Sequence, residues 1–311
     1  MELTKKSSTS EMETRKTPIE GEKGESELLV QRTEEITAYV REKLSHLDES
    51  EQKRTIERAV NLYECSRETI APVFAAFADH LLRLAAKKGE RERIMFIARD
   101  GIGPYKAALA LIRKYPERYQ GIVSKQISYA YLTRKVVRNS SGEILAKYFE
   151  QLGVQPGDGV ILADIGMYGT IIGPIKSKLP DFSIDSIEYL ISRTSEANGF
   201  IDNGNDLQLS TFKTIIGNPA VHFLEDTFSG DIQSPTLLED VDGELQPDTL
   251  NSGYPPEIDL KRKFALQAIE DFVENTPDKE ANRDAKKTRA NLDKFLSNPG
   301  NFKDLMVPHE A

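Results

Sequence analysis

Two stretches of the chain share one pattern, in which an apolar run of strand type ends on an acidic residue close to a glycine and a helical pattern follows. The first runs from Ile94 to Gly101 and reads IMFIARDG. The second runs from Val160 to Thr170 and reads VILADIGMYGT. Continuous apolar strands that alternate with helices are typical of a parallel sheet covered by helices on both faces. This pattern constrains the fold more than any other feature of the chain.

The same alternation continues between and beyond these two stretches. It predicts strands at 94–98, 126–132, 160–164 and 186–191, and helices at 104–114, 143–152, 170–179 and 258–275. Each strand after the first is reached through a connection long enough to hold a helix, so we expect parallel pairing. The predicted fold class is α/β, with a three-layer, mostly parallel, Rossmann-like sheet and an N-terminal helical segment.

The chain divides into four segments by composition and periodicity. Residues 1–26 contain almost no apolar side chains, which predicts a disordered tail. Residues 27–90 show helical spacing and are expected to pack on the core. The α/β domain is predicted to cover residues 91–275, with a loop-rich extension at 195–257. Residues 276–311 are expected to be a peripheral charged helix or tail.

Composition limits the function classes. The 311 residues carry a formal net charge of −9, and such a field repels nucleic acid and anionic membranes. The one cysteine, Cys65, leaves no intramolecular disulfide and no cysteine-clustered metal site. We find neither an apolar run of the roughly 20 residues that a membrane span requires nor the apolar core of a signal peptide. The expected location is cytoplasmic, and the expected partner is a phosphorylated small molecule rather than nucleic acid or a membrane.

The stretch from Asp164 to Thr170 is the first candidate site. A helix N-terminus offers unpaired backbone amides and a partial positive charge to a phosphate. Gly166 and Gly169 let the backbone approach a ligand closely, and the Thr170 hydroxyl can donate a hydrogen bond. Asp164 can bond to ribose hydroxyls or hold Mg²⁺ through water. The alternative is a capped helix whose glycines serve turn geometry alone.

The second candidate site is the run Arg99-Asp100-Gly101, which directly follows a buried strand. A charged pair in this position is unfavourable unless it meets a ligand, a metal or solvent. Arg99 suits bidentate recognition of phosphate. Asp100 can ligate Mg²⁺ or act as a base, and Gly101 allows close approach. The alternative is a surface turn with an Arg–Asp ion pair.

The ends of two other strands add polar groups to the same edge of the predicted sheet. Thr133 and Arg134 close one strand, and Ser192 and Arg193 close another. With Arg99, these arginines predict an anion pocket if the strand order brings the strand ends together. Glu225, in the loop-rich extension, is a further candidate metal ligand or acid, although an exposed carboxylate at a helix start explains it as well.

The order of these motifs resembles the C-terminal half of certain bacterial HAD-type hydrolase-like proteins associated with surface-polysaccharide genes. The resemblance covers roughly residues 65–275. It is carried by Thr69 to Phe74, Arg99-Asp100-Gly101, Leu132-Thr133-Arg134, Asp164-Ile165-Gly166, Gly169-Thr170 and Phe223-Leu224-Glu225. A HAD phosphatase uses two aspartates two positions apart, and here Ile102 and Gly166 stand two positions after Asp100 and Asp164. The catalytic half of such proteins is therefore not in this chain.

The two acidic runs are also similar to the loops of type I phosphoribosyltransferases. The run ending in Arg99-Asp100-Gly101 is similar to the pyrophosphate-binding loop of that family, and the run from Val160 to Thr170 is similar to its phosphoribosyl-pyrophosphate loop. The resemblance implies that Asp164 contacts ribose hydroxyls and that Gly169 and Thr170 contact the 5′-phosphate. It also implies that Arg99 and Gly101 hold pyrophosphate with Mg²⁺. Ile165 stands where a second acid is usual, and Asp100 where a small residue is usual.

Together these patterns predict binding of a phosphorylated sugar or nucleotide with Mg²⁺ between Asp100 and Asp164, the two candidate catalytic residues. If the protein is an enzyme, phosphoribosyl transfer is the favoured reaction. Two alternatives remain open. One is a non-catalytic nucleotide-sensing or interaction module, and the other is a HAD-like phosphohydrolase centred on Asp100.

Overall fold

The computed structural model describes residues 24–98, 100–122, 126–167, 170–192, 198–201, 227–228, 233–250 and 253–276. One sheet contains β1 Glu92–Ile97, β2 Ile127–Ala130, β3 Gly159–Met167, β4 Ser183–Ser192 and β5 Asn198–Ile201. All neighbouring strands pair in parallel, in the order β2-β1-β3-β4-β5. Helices cover both faces, so the predicted three-layer, Rossmann-like α/β class is confirmed.

The helices of the described residues lie in three groups. The N-terminal group is α1 Glu25–Lys43, α2 Glu49–Cys65 and α3 Ala71–Lys88. Between the strands lie α4 Ile102–Lys114, α5 Arg134–Asn139, α6 Gly142–Gln151 and α7 Ile172–Lys178. The last is α8 Pro256–Asn275. α1 begins one residue before the end of the predicted tail, because Glu25 and Glu27 suit the positive end of a helix.

Strand β1 shows why these strands read as continuous apolar runs. Ile94 and Phe96 face a core formed with α3, α4 and α8. Met95 and Ile97 face a second core formed with α5, α6 and α7. Successive side chains of a strand point to opposite faces, so a strand covered on both sides needs apolar residues at every position. The continuous apolar sequence from Ile94 to Ile97 is therefore a consequence of burial on both faces of the sheet.

The helices α2 and α3 are continuous through a π-helical turn, Ser66–Ile70. Pro72, at the start of α3, lacks an amide hydrogen and its ring crowds the carbonyl four residues earlier. The wider π turn ends where the amide of Ala71 donates to the carbonyl of Ser66, directly before this proline.

The combined stretch Glu49–Lys88 has the length and composition to cross a membrane, but 67% of its most apolar window is buried inside the protein. Its apolar face belongs to the core.

Two parts of the structure differ from the predicted elements. β3 runs on through Asp164 to Met167, because Asp164 and Gly166 pair with Tyr189 and Ile191 of β4. Asp164, expected as the last residue of the strand, therefore lies inside it. The extension expected to be loop-rich contains β5 and a hairpin, β6 Leu238–Val241 and β7 Glu244–Pro247. These strands are short and their side chains are mixed, so apolar periodicity did not reveal them.

The hairpin packs on α6 through one side chain that imitates a strand. The side-chain amide of Gln151 donates to the carbonyl of Leu245 at 2.9 Å, and its oxygen accepts the amide hydrogen of Leu245 at 2.7 Å. Leu238 and Leu245 are buried in the core on this side of the sheet. Residues 233–250 therefore form part of the α5–α7 layer.

Candidate functional site

The strand order defines where a ligand is expected. From β1 the chain crosses to β2 on one side, and the next strand, β3, lies on the other side of β1. In open α/β sheets this reversal leaves a crevice beyond the carboxyl ends of the two strands, and ligands bind there. Asp100 follows β1 by three residues, and Asp164 lies near the end of β3. Both acidic residues therefore lie at or near the carboxyl ends of the two strands that flank the crevice.

Asp164 faces the layer of α5, α6 and α7. Its neighbour Ala163 pairs with Phe96, so Asp164 lies level with the end of β1. Leu162, two residues earlier, is buried in the core on the α5–α7 side, and alternation places Asp164 on that side too. Asp164 is half-buried, whereas Ile165 is packed in the opposite core and only 7% exposed. The position of the second acid in phosphoribosyltransferases is therefore a core position in this protein.

The turn after β1 has a structural reason for its glycine. The amide of Gly101 donates to the carbonyl of Ile97 at 3.0 Å as the chain turns into α4. A Cβ atom at residue 101 would lie 2.5 Å from the Ile97 carbonyl oxygen, so only glycine fits there. Asp100, just before it, is half-buried. Ile102, two positions after Asp100, is 7% exposed at the start of α4, and it supplies no acid.

Two of the predicted phosphate-binding residues, Arg134 and Thr170, line one groove between α5 and α7. The volume of the groove is about 370 Å³, within the range of small-molecule sites. Arg138 and Lys178 also line it, and the apolar residues are Val137, Ile171 and Pro174. Arg134 and Thr170 are exposed to solvent. Asp100 and Asp164 are not among the lining residues, so the groove adjoins the strand ends and does not join the two carboxylates.

Helix α5 is held at both ends by side chains. The Thr133 hydroxyl accepts the amide hydrogen of Val136 at 3.1 Å and donates to the carbonyl of Pro235 at 2.8 Å. Lys178 donates to the carbonyls of Val137, Arg138 and Ser140 at 2.7, 3.0 and 2.6 Å. Thr133, predicted as a phosphate contact, therefore acts here as a helix cap. The arrangement presents Arg134 and Arg138 from a fixed helix.

The segment between β2 and α5 is fixed by a buried tyrosine. The Tyr148 hydroxyl on α6 accepts the amide hydrogen of Tyr131 at 3.0 Å. Burial raises the pKa of Tyr148 to about 12, so the hydroxyl stays neutral at physiological pH. Tyr131 also contacts Tyr129, which stacks on Tyr105 of α4 with ring centroids 5.8 Å apart. An aromatic row therefore borders the β2 side of the strand ends.

Four predicted site residues lie outside the described residues: Arg99, Gly169, Arg193 and Glu225. The predicted ring of three arginines is thus represented by Arg134. Gly166 is a residue of β3. Among the described residues, no group of three or more His, Cys, Asp or Glu side chains is placed to hold a metal ion.

Two residues of the groove, Arg138 and Lys178, were not found from the sequence. Each lies in a helix where lysine and arginine are ordinary surface residues, and neither belongs to a motif. The one available signal was spacing, since Arg138 lies four residues after Arg134 and so shares its helix face.

The fold and the strand ends define a Rossmann-like α/β protein with a candidate anion-binding groove beside the crevice between β1 and β3. No protein-family model matches the chain, and no curated protein matches it.

Proposed function

We propose that the protein binds a phosphorylated sugar or nucleotide, together with Mg²⁺, at the carboxyl ends of β1 and β3. One observation carries the proposal: Asp100 follows β1 and Asp164 lies near the end of β3, on either side of the crevice, and Arg134 and Thr170 line a cationic groove beside it. Carboxylates suit Mg²⁺ and sugar hydroxyls, and arginine suits phosphate. The two kinds of group match the two halves of such a ligand in chemistry.

Each residue has a separate role in this proposal. Asp164 accepts hydrogen bonds from sugar hydroxyls or holds Mg²⁺ through water, and Asp100 completes the metal position from the β1 side. Thr170 donates its hydroxyl to a phosphate oxygen, and Arg134 provides a guanidinium fork for the same phosphate. Mg²⁺ keeps several waters and binds through one or two carboxylates plus phosphate oxygens, so two aspartates suffice on the protein side.

Binding without turnover fits the site better than phosphoribosyl transfer. Transfer would pass through an oxocarbenium-like transition state and would require neutralisation of departing pyrophosphate. In the resembling enzymes a second acid follows the first, and here Ile165 fills that position inside the core. Phosphoribosyl transfer remains the second candidate because Asp164 and the crevice are both present. Phosphatase activity at Asp100 is not expected, since the +2 position is the buried Ile102.

The experiment is a calorimetric titration of the full chain with phosphoribosyl pyrophosphate, with and without Mg²⁺. We expect saturable, Mg²⁺-dependent binding that Asp164→Asn weakens at least tenfold, because a charge-assisted hydrogen bond is lost. The matched control is Asp181→Asn, an exposed aspartate before β4 at the other edge of the sheet. It removes the same charge and should leave binding unchanged.

Two results would contradict the proposal: no saturable binding by the wild-type chain, or equal effects of Asp164→Asn and Asp181→Asn. Product analysis in the same samples separates the two candidates. Release of pyrophosphate in the presence of a nucleophilic acceptor would favour transfer, and binding without release would favour a sensor or interaction module.

A further inference from the structure

The groove between α5 and α7 carries more positive charge than one phosphate contact requires. Arg134 and Arg138 lie four residues apart on the same face of α5, and both line the groove with Lys178. Among the described residues, no acidic side chain lines it and neither arginine forms an ion pair. Like charges at this spacing repel each other. In a chain with a net charge of −9, such a cluster indicates a site for an anion.

The hydrogen-bond donors that the groove offers to a ligand belong to the two arginines and Thr170. The ammonium group of Lys178 already donates to three backbone carbonyls at the end of α5, so it contributes charge and holds the helix. The groove therefore offers a ligand the guanidinium groups of Arg134 and Arg138 and the Thr170 hydroxyl. Each guanidinium can hold two phosphoryl oxygens through parallel hydrogen bonds.

The walls of the groove strengthen these interactions. Val137 and Ile171 line it and are only 1% and 8% exposed, so the lining beneath the charged groups is apolar. Charges beside a low-dielectric surface interact more strongly than charges surrounded by water. The backbone of the helix that carries both arginines is fixed by Thr133 and Lys178, so only the side chains need to be ordered when an anion binds.

We infer that the ligand carries two linked phosphoryl groups at this end, one held by Arg134 and Thr170 and the next by Arg138. The inference rests on the proposed function, since it specifies the ligand of that site. It makes the ligand class a sugar or nucleotide with a diphosphate, and it adds Arg138 to the binding residues. Residues 134 and 138 lie about one helical turn apart along α5, so their long side chains can reach adjacent phosphoryl groups.

The test compares inorganic phosphate with inorganic pyrophosphate in titrations of the full chain without Mg²⁺ and at low ionic strength. We expect pyrophosphate to bind at least tenfold more tightly than phosphate. Arg138→Gln should weaken pyrophosphate binding about tenfold and change phosphate binding less than about twofold. The matched control is Lys135→Gln, which removes one positive charge from an exposed residue of α5 outside the groove. It should change neither affinity.

The inference is wrong if wild-type protein binds the two anions equally, or if Lys135→Gln weakens pyrophosphate binding as much as Arg138→Gln. Comparison of the pyrophosphate titration with the titration of phosphoribosyl pyrophosphate separates this inference from the proposed function. Normal pyrophosphate binding together with no binding of phosphoribosyl pyrophosphate would contradict the proposed function alone. Mg²⁺-dependent sugar binding that Arg138→Gln leaves intact would contradict the diphosphate inference alone.

Discussion

Helical arginines in two regions of the protein differ in whether a carboxylate of the chain neutralises their charge. In the packing of α1 and α2 against α8, Arg32 donates from Nε and Nη2 to the two oxygens of Asp271 at 2.7 and 2.8 Å. Asp271 is 1% exposed and also accepts a hydrogen bond from the Tyr63 hydroxyl at 2.8 Å. In the groove between α5 and α7, Arg134 and Arg138 have no such partner among the described residues.

The difference separates structural charges from candidate binding charges. The hydrogen bonds that Arg32 donates to Asp271 raise the pKa of Arg32 far above its ordinary value, with Glu35 adding to the rise and burial opposing it. The charge of Arg32 is therefore satisfied within the chain, and its work is to join helices. The charges of Arg134 and Arg138 are paired with no described residue, which makes them candidates for binding a ligand. Composition alone does not distinguish these two kinds of arginine.

The largest effect is expected at Asp271. Asp271→Asn should lower the free energy of unfolding by about 3 kcal/mol, because it leaves the Arg32 guanidinium largely buried without its main counter-charge. Urea denaturation measures the loss. The control is Glu270→Gln on the same helix, whose ion pair with Lys106 spans 3.7 Å at the surface. Its expected loss is below about 1 kcal/mol. Equal losses would show that Asp271 does not hold the helices together.

A smaller effect is expected at Glu92, a buried carboxylate whose charge Lys88 compensates only in part. Burial, followed by the neighbouring charge of Asp185, raises the pKa of Glu92 above its ordinary 4.5, although Lys88 lies 3.3 Å away and lowers it. The folded state then holds a proton that the unfolded state releases, so stability should fall as the pH rises from about 4.5 through the raised pKa. Glu92→Gln should remove this fall. Denaturation curves between pH 4 and 8 test it, and an unchanged pH profile in the variant would contradict it.

The smallest effect tests the arginines of the groove as structural residues. The double variant Arg134→Gln/Arg138→Gln should leave the free energy of unfolding unchanged or raise it by about 0.2–0.5 kcal/mol, because it removes a like-charge pair from α5. The measurement is urea denaturation without added anion. A loss above about 1 kcal/mol would mean that the two arginines stabilise the fold, and the contrast with Arg32 would fail.

Much of the sheet was predictable because strands buried on both faces have continuous apolar sequences. β1 and β3 were found in this way, and the predicted edge of the sheet is where Asp100 and Asp164 lie. The hairpin was missed, although Asp242-Gly243 between short strands is a strong local signal. Both residues have positive φ, 55° and 91°, as a two-residue hairpin turn requires. This signal is a pair of turn residues, and the spacing of apolar residues does not reveal it.

The candidate site was predictable only where a motif marked it. Asp164 and Thr170 follow from the strand–acid–glycine pattern, but the strand was expected to end at Asp164, and pairing with β4 extends it to Met167. Arg138 and Lys178 carry no local signal, because a cation on a helix is ordinary until its neighbours are known. Gly101 is the opposite case, because the sequence suggested a role in ligand binding. The close approach of the backbone at residue 101 to Ile97 is enough to explain why a glycine is needed there.

The sequence alone determined the layers of this protein, because apolar periodicity records which faces of a strand or helix must leave water. It also determined that acidic residues follow two of the strands. Only the tertiary structure decided that these two strands are neighbours in the sheet. It also decided that a groove lies between helices α5 and α7. Strand order and the matching of charges depend on contacts between residues far apart in the chain, and no local pattern specifies those contacts.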